Sequence, residues 1–181
     1  MTAWQQKHGN CLLKTLEEPP EYATIILVAT NEAKLLNTIK SRCMKLVFNP
    51  IEKELIKEKV NQLLNGTADE NLVLKSRGSL GKAIKMHEEK DIYNKVDSIL
   101  KSMEKQDLVT TFNNSEILYS EKEKIQEILE YITISLYNTK ELNKLNCIKY
   151  IEETKKRINS NCNYDMCIDY LLMKMHSEMS L

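Results

Sequence analysis

The segment EEPP at residues 17–20, followed by SRC at residues 41–43, decides how this 181-residue sequence is interpreted. The two prolines cannot continue a helix, so the apolar turn CLLKTL at residues 11–16 ends there. The run TIILVA at residues 24–29 is apolar and rich in β-branched residues, which predicts a strand buried on both faces. A polar, helix-like segment then leads to SRC. This order predicts a surface cation, Arg42, that is held in place by a buried strand.

Three motifs stand together in this region: LLKTLEEPP at 12–20, IILVATN at 25–31 and TIKSRC at 38–43. Their order and spacing resemble the clamp-loader branch of the AAA+ ATPases. The resemblance is clear over residues 10–50 and weaker over residues 77–83. Within that family the sequence is most similar to the delta-prime type of bacterial DNA polymerase III.

Composition fits a soluble globular protein, with 42% hydrophobic and 29% charged residues and a formal net charge of zero. No overall field therefore attracts the chain to nucleic acid or to a membrane. The sequence has no run of eighteen apolar residues and no signal-peptide pattern, so we expect a cytoplasmic protein.

Cysteine and arginine usage is informative. Five cysteines occur without a C-x-x-C pair, which predicts reduced thiols and no metal site. The cysteine cluster of the zinc module that many bacterial clamp-loader ATPase domains carry is not in this sequence.

Only Arg42, Arg77 and Arg157 are arginine among 26 basic residues. Such a chain is expected to use arginine where a planar, two-pronged donor is needed.

The predicted fold class is mostly α, in three parts. Residues 1–48 are expected to be the C-terminal remnant of an α/β AAA+ domain whose front is missing, because two short strands, at 24–29 and 44–48, cannot make a stable sheet. Residues 49–90, here called the lid segment, are predicted to form three helices, the first beginning at Asn49-Pro50 and ending at Gly66. Residues 91–181, here called the collar segment, are predicted to form four or five helices.

Two local expectations accompany the collar segment. Ser120 and Glu123 form a capping box before the apolar helix pattern that begins at Ile125. The polar stretches at 110–115 and 159–163 are expected to be links between helices. In the family that the sequence resembles, the matching domain is a collar that joins subunits into a ring.

Catalytic motifs of an ATPase do not occur in this sequence. There is no G-x-x-x-x-G-K-[ST] and no pair of acids after an apolar run to hold magnesium. We therefore expect a chain that is not an enzyme by itself and holds no cofactor, with ATP and magnesium on neighbouring subunits. Gly81 stands at the sensor-2 position, where active relatives carry an arginine. Thr30 stands at the sensor-1 position, and its alternative role is a strand-end hydroxyl that caps the turn at Asn31.

Arg42 carries the main functional prediction. The resemblance implies an arginine finger that reaches into a neighbouring subunit's ATP site, with Ser41 and Cys43 as its motif neighbours. A finger supplied in trans stabilises charge on the transferred phosphoryl group. The alternative is a surface salt bridge between Arg42 and Glu17 or Glu18.

The resemblance implies a non-hydrolysing, delta-prime type of clamp-loader subunit that helps to load the sliding clamp onto primed DNA. Its partners would be subunits of the gamma/tau and delta types, with the clamp and DNA reached through the complex and no membrane. Two alternatives remain open: a truncated, ATP-hydrolysing subunit of the gamma/tau type, and a helical scaffold of unrelated function.

Overall fold

The structure is a computed structural model and describes residues 15–105 and 107–180. The chain is mostly helical over these residues, as predicted, and divides into two compact units, Met1–Asn49 and Pro50–Leu181. Each unit is described by itself below. Cys11 and most of the apolar turn at 11–16 lie outside the described residues.

The first unit contains two short helical elements, a 3₁₀ turn at Glu32–Lys34 and helix α1 at Asn37–Lys40. Asn31 caps the 3₁₀ turn, since its Oδ1 accepts a hydrogen bond of 2.9 Å from the backbone N–H of Ala33. The polar segment before Arg42 is thus helical, as the sequence indicates.

The prediction of two strands in this unit is wrong. Residues 24–29 and 44–48 are extended, but the described residues offer neither of them a pairing strand. Val28 is 93% exposed and Phe48 is 89% exposed, which is the opposite of burial on both faces. The apolar, β-branched pattern is real, yet a strand forms only when a neighbour satisfies its backbone N–H and C=O groups.

The lid segment forms three helices, as predicted: α2 (Lys53–Leu64), α3 (Glu70–Lys75) and α4 (Leu80–Glu88). Asp69 caps α3 and Ser79 caps α4, each through its side-chain oxygen. The predicted start of α2 at Asn49-Pro50 is wrong, since its N-cap is Glu52. The helix ends just before Asn65, which adopts the left-handed conformation (φ 48°). The small core of these helices consists of Ile56, Val60, Ala68, Val73 and Ala83.

The collar segment forms six helices, one or two more than predicted. They are α5 (Lys90–Met103), α6 (Leu108–Asn114), α7 (Glu116–Ser120), α8 (Ile125–Thr139), α9 (Leu142–Asn159) and α10 (Tyr164–Met179). Their apolar residues recur at helical spacing and face one core; on α5 these are Tyr93, Val96, Ile99, Leu100 and Met103. None of the helices in the described part of the chain is long and apolar enough to span a membrane.

Two local expectations for the collar segment are wrong. Residues 110–115 are not a link, because Asp107 caps α6 by accepting a 2.8 Å hydrogen bond from the N–H of Thr110. Ser120 and Glu123 do not form a capping box. Ser120 is the last residue of α7 and its hydroxyl donates back to the carbonyl of Ile117 at 3.3 Å. The link at 159–163 is confirmed, with Asn163 as the N-cap of α10.

The four described cysteines carry free thiols. Cys147 and Cys167 are buried, Cys43 is half-buried and Cys162 is exposed. Burial raises the pKa of Cys147 to about 11, so this thiol stays protonated at neutral pH. Two of the four therefore behave as small core residues rather than as reactive groups.

The lid segment and the collar segment share a core. Leu72 of α3 and Met86 of α4 pack into the large cluster formed by helices α5 to α10. Exposed ion pairs also join the segments, among them Lys82 with Glu130 at 2.6 Å and Lys85 with Glu127 at 2.7 Å. Such pairs contribute little each, so the buried contacts carry most of the attachment.

A buried ammonium group lies at the centre of this attachment. Lys75, the last residue of α3, is only 5% exposed. Its Nζ donates to Asp97 Oδ1 at 3.0 Å and to the Tyr131 hydroxyl at 2.7 Å, and it lies 3.9 Å from the centre of the Tyr131 ring. The Tyr131 hydroxyl donates in turn to Asp97 Oδ2 at 2.9 Å. These three side chains, here called the Lys75 network, connect α3 to α5 and α8.

Burial shifts the pKa of the lysine and the pKa values of the two tyrosines of this region in opposite directions. It lowers the pKa of Lys75, although Asp97 opposes the shift, because the charged ammonium loses its hydration. It raises the pKa of Tyr131, and it raises the pKa of the stacked Tyr93 to about 12, because the charged form of a phenol is the anion.

We expect Lys75→Met to lower the free energy of unfolding by about 3 kcal/mol, since it leaves the Asp97 carboxylate without its ammonium partner. The matched control is Lys82→Met, which removes the half-exposed pair with Glu130 and should cost less than about 1 kcal/mol. Urea unfolding followed by circular dichroism measures both. Equal losses in the two variants would contradict a special role for the Lys75 network.

Candidate functional site

Arg42 lies one residue after the C-cap of α1 and its guanidinium is held on two sides. Nη2 contacts Glu17 Oε1 at 2.5 Å, and Nη1 donates to the backbone carbonyl of Thr38 at 2.9 Å. The Arg42 side chain is 33% exposed and that of Glu17 is 48% exposed. The predicted support by a buried strand is wrong. Helix α1 supplies the support instead, through the carbonyl of its second residue.

The motif neighbours have different surroundings. The Ser41 hydroxyl donates to the Thr38 carbonyl at 3.1 Å and also lies 3.4 Å from Arg42 Nη1. Ser41 therefore shares the acceptor that Arg42 uses, which explains why a small hydroxyl residue suits this position. Cys43 is a half-buried free thiol.

The salt bridge that the sequence offered as the alternative for Arg42 is present, and its partner is Glu17. A salt bridge within the chain and a finger in trans do not exclude each other, because a guanidinium has five N–H donors. Sequence analysis did not predict that the Thr38 carbonyl accepts a hydrogen bond from Arg42. A pattern of side chains does not indicate which backbone carbonyl is free at the end of a helix.

Thr30 lies at the bend that follows the extended residues 24–29. It is exposed, and the cap of the following turn is the Asn31 side chain rather than the Thr30 hydroxyl. The suggestion that Thr30 caps this turn is therefore wrong, and its sensor-1 role stays a prediction.

Gly81 belongs to the other unit, in the first turn of α4. A Cβ built on Gly81 would meet no atom within 4 Å. The glycine borders a cavity of about 210 Å³ whose walls include Lys82, Lys85 and Tyr93. Both lysines form ion pairs with glutamates of α8, and the sensor-2 position of Gly81 stays a prediction.

Gly78, three residues earlier, has no room for a side chain, in contrast to Gly81. Its φ is +80°, and a Cβ there would lie 2.4 Å from Pro50 Cβ. Its carbonyl accepts a 2.9 Å hydrogen bond from the N–H of Ile51, which fixes the start of the lid segment against the turn before α4. Only glycine fits such a position without strain.

Comparison with known proteins finds similarity to subunits of DNA polymerase III. The family described as DNA polymerase III, delta subunit, matches residues 2–52. DNA polymerase III subunit gamma of Buchnera aphidicola subsp. Baizongia pistaciae (strain Bp) is 28% identical over 92% of this chain and 42% of its own length. No solved structure matches the chain.

Two other relatives each match about a third of the chain. Subunit tau of Escherichia coli (strain K12) is 43% identical over 31% of this chain and 9% of its own length. Subunit delta' of Buchnera aphidicola subsp. Schizaphis graminum (strain Sg) is 44% identical over 35% of this chain and 18% of its own length. The chain thus spans less than half the length of these relatives.

These matches support a subunit of the clamp-loader family of DNA polymerase III. They overturn the prediction that the chain is not an enzyme. Most of the matching relatives are gamma and tau subunits, which are the ATP-hydrolysing type in the family, whereas the prediction rested on the missing phosphate loop and magnesium ligands and on the resemblance to the non-hydrolysing type. The absence of a phosphate loop from this sequence carried too much weight in that prediction.

The two glycines yield a paired prediction. Gly81→Ala should raise the free energy of unfolding by up to about 1 kcal/mol, because alanine favours the helix and meets no atom. Gly78→Ala should destabilise by more than about 1 kcal/mol, because of its positive φ and the close Pro50 ring. Thermal unfolding of both variants is the measurement, and a loss of stability in Gly81→Ala would show that the space around Gly81 is not free.

Proposed function

We propose that this chain is a clamp-loader subunit of the gamma/tau type. It acts in a cytoplasmic ring of subunits that hydrolyses ATP with magnesium and loads the sliding clamp onto primed DNA. The observation that carries this proposal is the similarity to a gamma subunit over 92% of the chain, which includes the helices after residue 52 that the family match does not cover.

Arg42 is the residue through which the chain would act on ATP. Its guanidinium is oriented by Glu17 and by the Thr38 carbonyl, and part of it faces solvent. Fixed donors aimed at developing charge are effective because they need no reorganisation during the reaction. We assign Arg42 to the ATP site of a neighbouring subunit.

The subunit type is tested by competition. Loader complexes are assembled from purified subunits with this chain added in place of either the gamma/tau or the delta-prime subunit. We expect the chain to co-purify with a complex that contains delta-prime and to be displaced by added gamma/tau. Displacement by delta-prime alone would indicate the delta-prime type, and no incorporation under either condition would count against a clamp-loader subunit.

The role of Arg42 is tested by Arg42→Ala and Arg42→Lys in the assembled complex. Both should lower ATP turnover in the presence of clamp and primed DNA by about ten-fold or more, because lysine keeps the charge but loses the planar fork. The stability of the chain should hardly change, because the ion pair is half-exposed. Turnover equal to that of the wild type, with assembly verified by gel filtration, would show that Arg42 is only a surface residue.

A further inference from the structure

We propose that Glu17 is a positioning residue for Arg42. The carboxylate of the EEPP motif would hold the guanidinium of the SRC motif in the orientation that it needs to contact a phosphate. This inference rests on the proposed function, since it concerns how the finger is held. It goes beyond that function because it assigns a role to a residue of a different motif, 25 positions earlier in the chain.

The contacts of the guanidinium support this role. Nη1 is engaged by the Thr38 carbonyl at 2.9 Å and lies 3.4 Å from the Ser41 hydroxyl, while Nη2 is engaged by Glu17 at 2.5 Å. The Thr38 and Ser41 contacts come from the same short helix end and restrain one side of the fork. Glu17 comes from another part of the unit and restrains the other side, so the two sets of contacts together fix the orientation of the guanidinium plane.

The donors that remain are placed for a ligand. Glu17 contacts the arginine through a single oxygen, Oε1. Three of the five N–H groups are thereby used, which leaves two, on Nε and Nη2, without an acceptor among residues 15–105 and 107–180. A phosphate oxygen could accept from these two groups while the Glu17 contact persists, since Arg42 remains one-third exposed.

The contact between Glu17 and Arg42 is expected to affect the orientation of the guanidinium and the stability of the fold to different extents. An ion pair in which both side chains are about a third to a half exposed contributes little to folding. Misplacing a reacting group by about 1 Å can nevertheless cost on the order of 100-fold in rate. The Glu17 contact therefore matters for orientation much more than for the free energy of unfolding.

The experiment uses the assembled loader with clamp and primed DNA. Glu17→Gln keeps the size of the side chain and removes its charge, and Glu18→Gln is the matched control, because Glu18 is the adjacent exposed carboxylate. We expect Glu17→Gln to lower kcat about five-fold with the KM for ATP unchanged, and Glu18→Gln to leave both unchanged. In an Arg42→Ala background, Glu17→Gln should cause no further loss, since the group that it positions is gone.

The outcomes distinguish this inference from the proposed function. If Arg42→Ala lowers turnover but Glu17→Gln does not, Glu17 is not a positioning residue and the finger stands. If Arg42→Ala has no effect, the finger itself is refuted. A rise in turnover in Glu17→Gln would mean that the carboxylate competes with phosphate for Arg42, and equal losses in Glu17→Gln and Glu18→Gln would indicate a general charge effect; either result overturns positioning by Glu17.

Discussion

The burial of one ammonium group constrains how the lid and collar segments pack together in the second unit. Lys75 reaches the interior only because Asp97 and the Tyr131 hydroxyl accept its N–H groups, and these acceptors lie on two different helices of the collar segment. Once α3 is fixed to α5 and α8, Leu72 enters the large core and the turn that leads to α4 is placed as well.

Arginine and lysine have different tasks in this chain. A lysine brings one ammonium nitrogen to all its partners, as Lys75 does with Asp97 and Tyr131, or forms an exposed pair across helices. Arg42 and Arg157 each hold a glutamate and a second group at once: Arg42 the Thr38 carbonyl, and Arg157 the face of the Tyr170 ring at 4.3 Å. Each of these ion pairs joins one guanidinium nitrogen to one carboxylate oxygen, so neither is the two-pronged grip on a carboxylate that the sequence predicts.

Sequence analysis predicted the helical elements better than the contacts between them. The helical spacing of apolar residues is a local signal, and the three helices of the lid segment that were predicted from the sequence are present. The strand at 24–29 could not be decided in this way, because a strand depends on a neighbour that periodicity does not reveal. Lys75 was missed for a related reason: a lysine near a helix end usually faces water, and only its distant partners bury it. The sequence offered both Glu17 and Glu18 as ion-pair partners of Arg42, and only the structure identifies Glu17.

The contact between Gly78 and Pro50 has a consequence for the order of folding. The hydrogen bond from Ile51 to Gly78 closes a loop that contains only α2 and α3, whereas the bond from Lys75 to Tyr131 joins residues 56 positions apart. Closing the shorter loop loses less chain entropy. The three helices of the lid segment can therefore form as a local nucleus, with α3 already oriented when the collar helices reach it. The tight glycine turn thus favours formation of the lid segment before the buried lysine meets its partners.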